Sequence, residues 1–314
     1  MPSSTIDRLT TASLPRSVWA WRPMAAVLAI MLLSACSDDS RPPLPVEGRF
    51  SVVENLDYAD YDGRILRLDL YIPDEPVSQP VPVVIAVRGG GFRRGDKEAF
   101  APIAGAMADR GIAAASIEYR TSAEALFPGA IHDTKAAVRW LRQHAADYGL
   151  DASAIGAIGG SAGGYLSAYL GVTTGEQALE GSGGSPEVAS SIQAIVAMAP
   201  EAEPTSQPWW GEFLDDADDP DETLRAYAST LTQLDAGEEP PLLLIHSADD
   251  NTVPLSQSQK LFDSYDQSGN QVDIVVLSGA PHAFWYEVAW FPGAMDRAAA
   301  FFAAELGAGN PTAH

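Results

Sequence analysis

Six short, mostly apolar runs recur along the chain: Val81 to Val87, Ile112 to Glu118, Ala154 to Ile158, Ile192 to Met198, Pro241 to Ile245 and Val272 to Leu277. Runs this brief and this continuous are the pattern of strands buried on both faces of a sheet. Between them, apolar residues return every three or four positions in Lys97 to Arg110, Ala130 to Tyr148, Leu255 to Ser268 and Gly293 to Leu306, which predicts helices that bury one side. Ahead of the six runs, Phe50 to Tyr58 and Arg64 to Ile72 read as an antiparallel pair with Asp62-Gly63 as the turn. Eight strands alternating with helices predict a doubly wound, mostly parallel sheet flanked by helices on both faces. No linker interrupts residues 49–308, so one domain is expected there. Ligands of such sheets gather at the carboxyl ends of the strands.

The first residues follow a different pattern. Arg8, Arg16 and Arg22 precede an apolar run from Met24 to Leu33, which ends in Leu33-Ser34-Ala35-Cys36. Charge, apolar run and small residues in that order form the layout of an export signal. The run is far shorter than the roughly 20 apolar residues that span a bilayer. Cys36 is the single cysteine, so an intrachain disulfide or thiolate cluster is ruled out. Leu-Ser-Ala-Cys resembles the lipobox of bacterial lipoproteins, which implies removal of 1–35 and acylation of Cys36. Ser37, rather than aspartate, follows; by resemblance to the sorting rule of enteric bacteria this implies the outer membrane, facing the periplasm. Residues 36–48, polar and carrying Pro42, Pro43 and Pro45, suit a tether.

Composition narrows the partners. With 46% hydrophobic and 19% charged residues over 314 positions, the chain is ordinary globular material. A formal net charge of -23 repels phosphate backbones, so nucleic acid is not expected as a partner. Neither a metal-binding motif nor a cofactor fingerprint is present, and none of either kind is expected to be bound.

The chemistry concentrates in two glycine clusters and one histidine. Gly159-Gly160-Ser161-Ala162-Gly163-Gly164 stands between a strand run and the helical Tyr165 to Leu170, the G-x-S-x-G pattern in strand-turn-helix context. A serine at so sharp a turn has its hydroxyl exposed, and its neighbours must be tiny for strand and helix to approach. Arg88-Gly89-Gly90-Gly91-Phe92 follows another strand, and Gly90, Gly91 and Ala162 are candidate donors of backbone N–H groups to an oxyanion. Serine needs a base, and there are five histidines. His132 and His144 belong to a helical stretch, His314 is the last residue, and His246 ends a strand before Asp249-Asp250-Asn251; all four read as structural, capping or surface residues. His282, in a loop just past the last strand, is the candidate base. The order serine, acid, histidine is that of α/β-hydrolases, although spacing alone does not choose between Asp249 and Asp250.

Together these residues resemble the α/β-hydrolase fold, and more narrowly the bacterial esterase/lipase group related to hormone-sensitive lipase and to BD-FAE-type carbohydrate esterases. Leu68 to Leu306 carries the likeness, with Leu68-Asp69-Leu70-Tyr71-Ile72-Pro73, Glu118-Tyr119-Arg120 and Tyr148-Gly149-Leu150-Asp151 among the similar stretches. The family's H-G-x-x-D-x-x-V-P segment aligns with His246 to Pro254 and makes Asp250 the acid. Arg88 stands where the family has the histidine of H-G-G-G, and Ser247 replaces a glycine. The resemblance implies a serine carboxylic-ester hydrolase using Ser161, Asp250 and His282 through an acyl-enzyme, on small or carbohydrate-linked esters. Two other readings are a prolyl-oligopeptidase type peptidase and a silent binding lipoprotein. The peptidases add a propeller, for which about 250 residues leave no room. Glu201 to Glu239, with Trp209, Trp210, Phe213 and Leu214, is either a cap over the substrate pocket or a packed excursion, and Asp219-Pro220 is expected to start a helix within it.

Overall fold

The computed structural model describes residues 44, 48–215 and 223–307. The expected leader, Cys36, most of the tether, Asp219-Pro220 and His314 lie outside the described residues. No helix among those described is long and apolar enough to cross a membrane.

Eight strands form one sheet: β1 (Phe50–Tyr61), β2 (Arg64–Pro73), β3 (Val81–Val87), β4 (Ala113–Ile117), β5 (Leu150–Gly160), β6 (Ala194–Met198), β7 (Leu242–Ser247) and β8 (Val272–Leu277). Their order is β1-β2-β4-β3-β5-β6-β7-β8. β1 pairs antiparallel with β2 and β2 with β4; every later pairing is parallel. Asp62 and Gly63 join the hairpin with both φ angles positive, 53° and 94°, the hand that follows strand twist. Central strands divide their residues by alternation. Val83, Ile85 and Val87 of β3 enter one core with Ile155 and Ala157 of β5, whereas Val84 and Ala86 enter the other with Ile158. A continuous apolar run is therefore needed to fill both cores.

Helices α1 (Ala101–Asp109), α2 (Gly129–Gln143), α3 (Ala162–Val172), α4 (Gln177–Glu180), α5 (Pro208–Leu214), α6 (Thr223–Tyr227), α7 (Leu255–Gln267) and α8 (Phe291–Leu306) complete the fold. α2, α3 and α7 cover one face, α1 and α8 the other. This is the α/β-hydrolase fold.

Three expected boundaries move for physical reasons. The helix expected from Lys97 begins at Ala101, after a 3-10 turn at Glu98–Phe100, because the Lys97 ammonium is anchored in a buried pair with Asp69 at 2.8 Å. The helix expected to reach Tyr148 ends at Gln143, where the His144 backbone and Nδ1 both engage the Trp140 carbonyl; a 3-10 turn then runs to Gly149, whose φ is 69°. β5 extends beyond Ile158 to Gly160, since the glycine backbone stays in the ladder with β6 after the apolar run has stopped.

Candidate active site

Five strand ends meet at one place. β3 leads into the Gly89-Gly91 loop, β5 into Ser161, β6 into the turn carrying Glu201, β7 into Asp250 and β8 into the His282 loop. The elbow at Ser161 follows from close packing. A Cβ on Gly163 would lie 2.0 Å from the Val87 carbonyl oxygen, and one on Gly159 would lie 2.0 Å from that of Gly163. Only glycine lets β3, β5 and α3 approach so closely. Ser161 takes φ 55° and ψ -123°, a conformation that costs on the order of 1–3 kcal/mol and is held by its N–H donating to the Met198 carbonyl at 2.8 Å.

The structure brings Ser161, His282 and Asp250 together. Ser161 Oγ lies 3.0 Å from His282 Nε2, and His282 Nδ1 lies 2.6 Å from Asp250 Oδ2. Asp250 cannot donate when ionised, so Nδ1 carries the proton and Nε2 is left to accept from the serine. The other Asp250 oxygen accepts the backbone N–H groups of Thr252 and Val253 at 2.8 and 2.9 Å. Burial pushes the Asp250 carboxyl up, but hydrogen bonds from His246 and His282 outweigh it and hold the group below the usual carboxylate range. Asp249, the other candidate acid, accepts the Gly279 N–H instead and braces the His282 loop from outside.

His246 is buried, as a structural residue should be, yet it also touches the acid. Its Nε2 faces the Val253 carbonyl at 2.9 Å and Asp250 Oδ2 at 3.3 Å, while Nδ1 meets the Ser258 hydroxyl at 2.7 Å. With two acceptors before it, Nε2 is the donor. The other two histidines among the described residues are engaged elsewhere: His144 caps α2, and His132 rests half-buried with Nε2 3.4 Å from the Ala178 carbonyl.

Gly90 and Gly91 have φ of 127° and 59°, and a Cβ on Gly89 would lie 3.0 Å from that of Ser161, so the loop lies against the elbow. Among the described residues, no protein acceptor takes the N–H of Gly90, Gly91 or Ala162. Arg88, standing where the resembled family has histidine, turns its guanidinium into an ion pair with Asp96. Cys36, the remaining site residue read from the sequence, lies outside the described residues.

The pattern of the sequence did not single out Glu201. Its buried carboxylate accepts from Trp209 Nε1 at 2.7 Å, from Trp210 Nε1 and from the Thr205 hydroxyl at 3.2 Å. Burial pushes this carboxyl above the ordinary glutamate value, against the pull of those three donors. A carboxylate followed by Trp209-Trp210 was the available signal. The cap and packed-excursion readings of this segment both left out that each indole carries an N–H that needs a partner when buried.

A strained serine on a strand-to-helix elbow, in hydrogen-bond reach of a histidine oriented by a buried carboxylate, defines the class of serine-nucleophile α/β-hydrolases. Residues 68–265 match the BD-FAE family, and the chain belongs to it. Curated relatives include a probable carboxylic ester hydrolase, LipM, of Mycobacterium tuberculosis, 29% identical over 73% of this chain and 56% of that protein. Esterase LipQ of the same organism is 30% identical over 71% of this chain and 55% of its own length. The chain thus spans little more than half the length of these relatives. Among solved structures, a truncated carbohydrate esterase from gut microbiota superposes with a TM-score of 0.74 at 27% identity, over 85% of this chain and all of that one. Apo Thermogutta terrifontis esterase 2 gives 0.70 at 27% identity, over 85% and 98%.

Proposed function

We propose that the protein is a serine carboxylesterase acting on small or carbohydrate-linked esters. The observation that carries this reading is the hydrogen-bonded line from Ser161 Oγ through the His282 ring to the buried Asp250. His282 Nε2 takes the serine proton as Oγ attacks the ester carbonyl, and Asp250 stabilises the imidazolium without itself being protonated. The N–H groups of Gly90, Gly91 and Ala162 receive the oxyanion. Collapse breaks the ester C–O bond, and the imidazolium returns its proton to the departing alcohol. Water then attacks the acyl-enzyme with His282 again as base. The carbohydrate part of the reading draws support from the carbohydrate esterase that shares the fold. Turnover of p-nitrophenyl esters of rising chain length by the wild type, and its loss by at least about a thousandfold in Ser161→Ala, is the expected result. Full activity in Ser161→Ala refutes it.

We also propose export and lipid anchoring through Cys36, on the order of charged residues, apolar run and lipobox from Arg8 to Cys36. Expressed in a bacterium with the lipoprotein pathway, the wild type is expected in the membrane fraction and Cys36→Ala outside it. Equal partition of the two contradicts anchoring.

A further inference from the structure

Glu201 is a buried carboxylate that the proposed reaction does not use, and it stands between the reacting groups and α5. Seven residues are too few for a helix to persist by itself, so α5 exists by what it touches. It is fastened to the oxyanion loop: the Phe213 ring stacks on Phe92 with centroids 3.9 Å apart, and Glu212 makes a two-point ion pair with Arg93. Trp210 points inward and packs on Phe92 and Tyr165. Trp209, its neighbour, lies nearer the surface. Its Cβ is 3.1 Å from where a Cβ on Gly91 would lie, so it stands on the loop that offers the N–H groups. The Trp209 ring is partly exposed, and its N–H is tied to Glu201 Oε1.

His282 faces the departing alcohol to protonate it and the N–H groups face the oxyanion, which leaves the acyl chain the remaining direction from the carbonyl carbon. We propose that Glu201 is a positioning residue for acyl specificity: its carboxylate holds the Trp209 indole against Gly91, and that ring limits the length of acyl chain the site accepts. The proposal rests on the esterase reading above.

An amide in place of the carboxylate tests it selectively. Oε2 serves two donors, Trp210 and Thr205, and Oε1 serves one, Trp209. In Glu201→Gln the single amide oxygen goes to the pair, and the NH2 group faces the Trp209 N–H, two donors without an acceptor. Trp209 is released while Trp210 stays in place. Two ester series are measured on the wild type, Glu201→Gln, Trp209→Ala and Trp209→Phe: p-nitrophenyl esters of acetate to octanoate, and acetates of alcohols of increasing size. The expected result is a rise of about tenfold in the hexanoate-to-acetate ratio of kcat/KM for Glu201→Gln and Trp209→Ala, through a lower KM for the longer chains, with no such change in the alcohol series. Trp209→Phe alone should raise the ratio as Glu201→Gln does, and the double variant combining the two should raise it no further, because the tie is already gone. An unchanged ratio in a folded Glu201→Gln or in Trp209→Ala, or a change confined to the alcohol series, overturns the proposal. Should Glu201→Gln fail to fold, Trp209→Phe, which keeps a ring but loses the N–H tied to Glu201, takes its place: a rise in the ratio supports the tie, and an unchanged ratio overturns the proposal. If the wild type hydrolyses no ester of either series, the esterase reading falls; if it does so with these ratios fixed, only the role of Glu201 falls.

Discussion

Replacing Asp250 by asparagine changes one atom and should disable the site by tautomer rather than by shape. One Asp250 oxygen holds the Thr252 and Val253 N–H groups; the other receives His282 Nδ1 at 2.6 Å and lies 3.3 Å from His246 Nε2. In Asp250→Asn the amide oxygen remains with the two backbone donors, so the NH2 group faces both imidazoles. His282 Nδ1 must then accept, its proton moves to Nε2, and Nε2 can no longer take one from Ser161. A tautomer error of this kind costs about 10⁴ in kcat. At about 1.4 kcal/mol per decade, that is about 5.5 kcal/mol of lost transition-state stabilisation. The assay is p-nitrophenyl acetate turnover at saturating substrate, with circular dichroism to confirm folding. KM should move little, since Asp250 is buried behind His282. A folded variant that keeps kcat within tenfold of wild type refutes the reasoning.

Three further outcomes are expected. Ser161→Gly removes the backbone strain at φ 55° and should raise the melting temperature by about 2–4 °C, for about 1 kcal/mol, while abolishing turnover; an unchanged or lower melting point contradicts the strain. Glu180 holds two buried cations, Lys135 and Arg139, each at 2.9 Å, so Glu180→Gln should destabilise by about 3 kcal/mol in urea titration, a loss under 1 kcal/mol contradicting the account. Burial, with Asp235 and Glu238 nearby, pushes the Glu239 carboxyl up to about 7. A raised carboxyl contributes stability that is full below the unfolded value and lost as pH rises through about 7. Glu239→Gln should therefore leave stability at pH 4 nearly unchanged and raise it at pH 8.5 by about 1–2 kcal/mol, allowing for solvent screening. Equal effects at the two pH values would contradict the shift.

The elements that the sequence made legible are those whose physics is local. Val81 to Val87 reads as a doubly buried strand because each of its residues is apolar, and β3 has those bounds. The elbow is legible because Gly159 and Gly163 have no other reason to flank a serine at that spacing. Asp250 required the family register, since only the fold decides which of two adjacent carboxylates turns inward. Glu201 and the second role of His246 were out of reach for a different cause. Both depend on how irregular turns four to twelve residues long fold back, between Glu201 and α5 and between His246, Ser258 and Asp250, which no periodicity encodes. Helix ends shifted where a tertiary anchor won over propensity, as at Lys97.

The most direct test of the central claim is the site of covalent capture by a serine-reactive fluorophosphonate, read by intact mass and then by peptide mapping. The account predicts one adduct per chain, on Ser161, with labelling slowed at least about a hundredfold in His282→Ala. No adduct on the folded wild type, or an adduct on any residue other than Ser161, would contradict it.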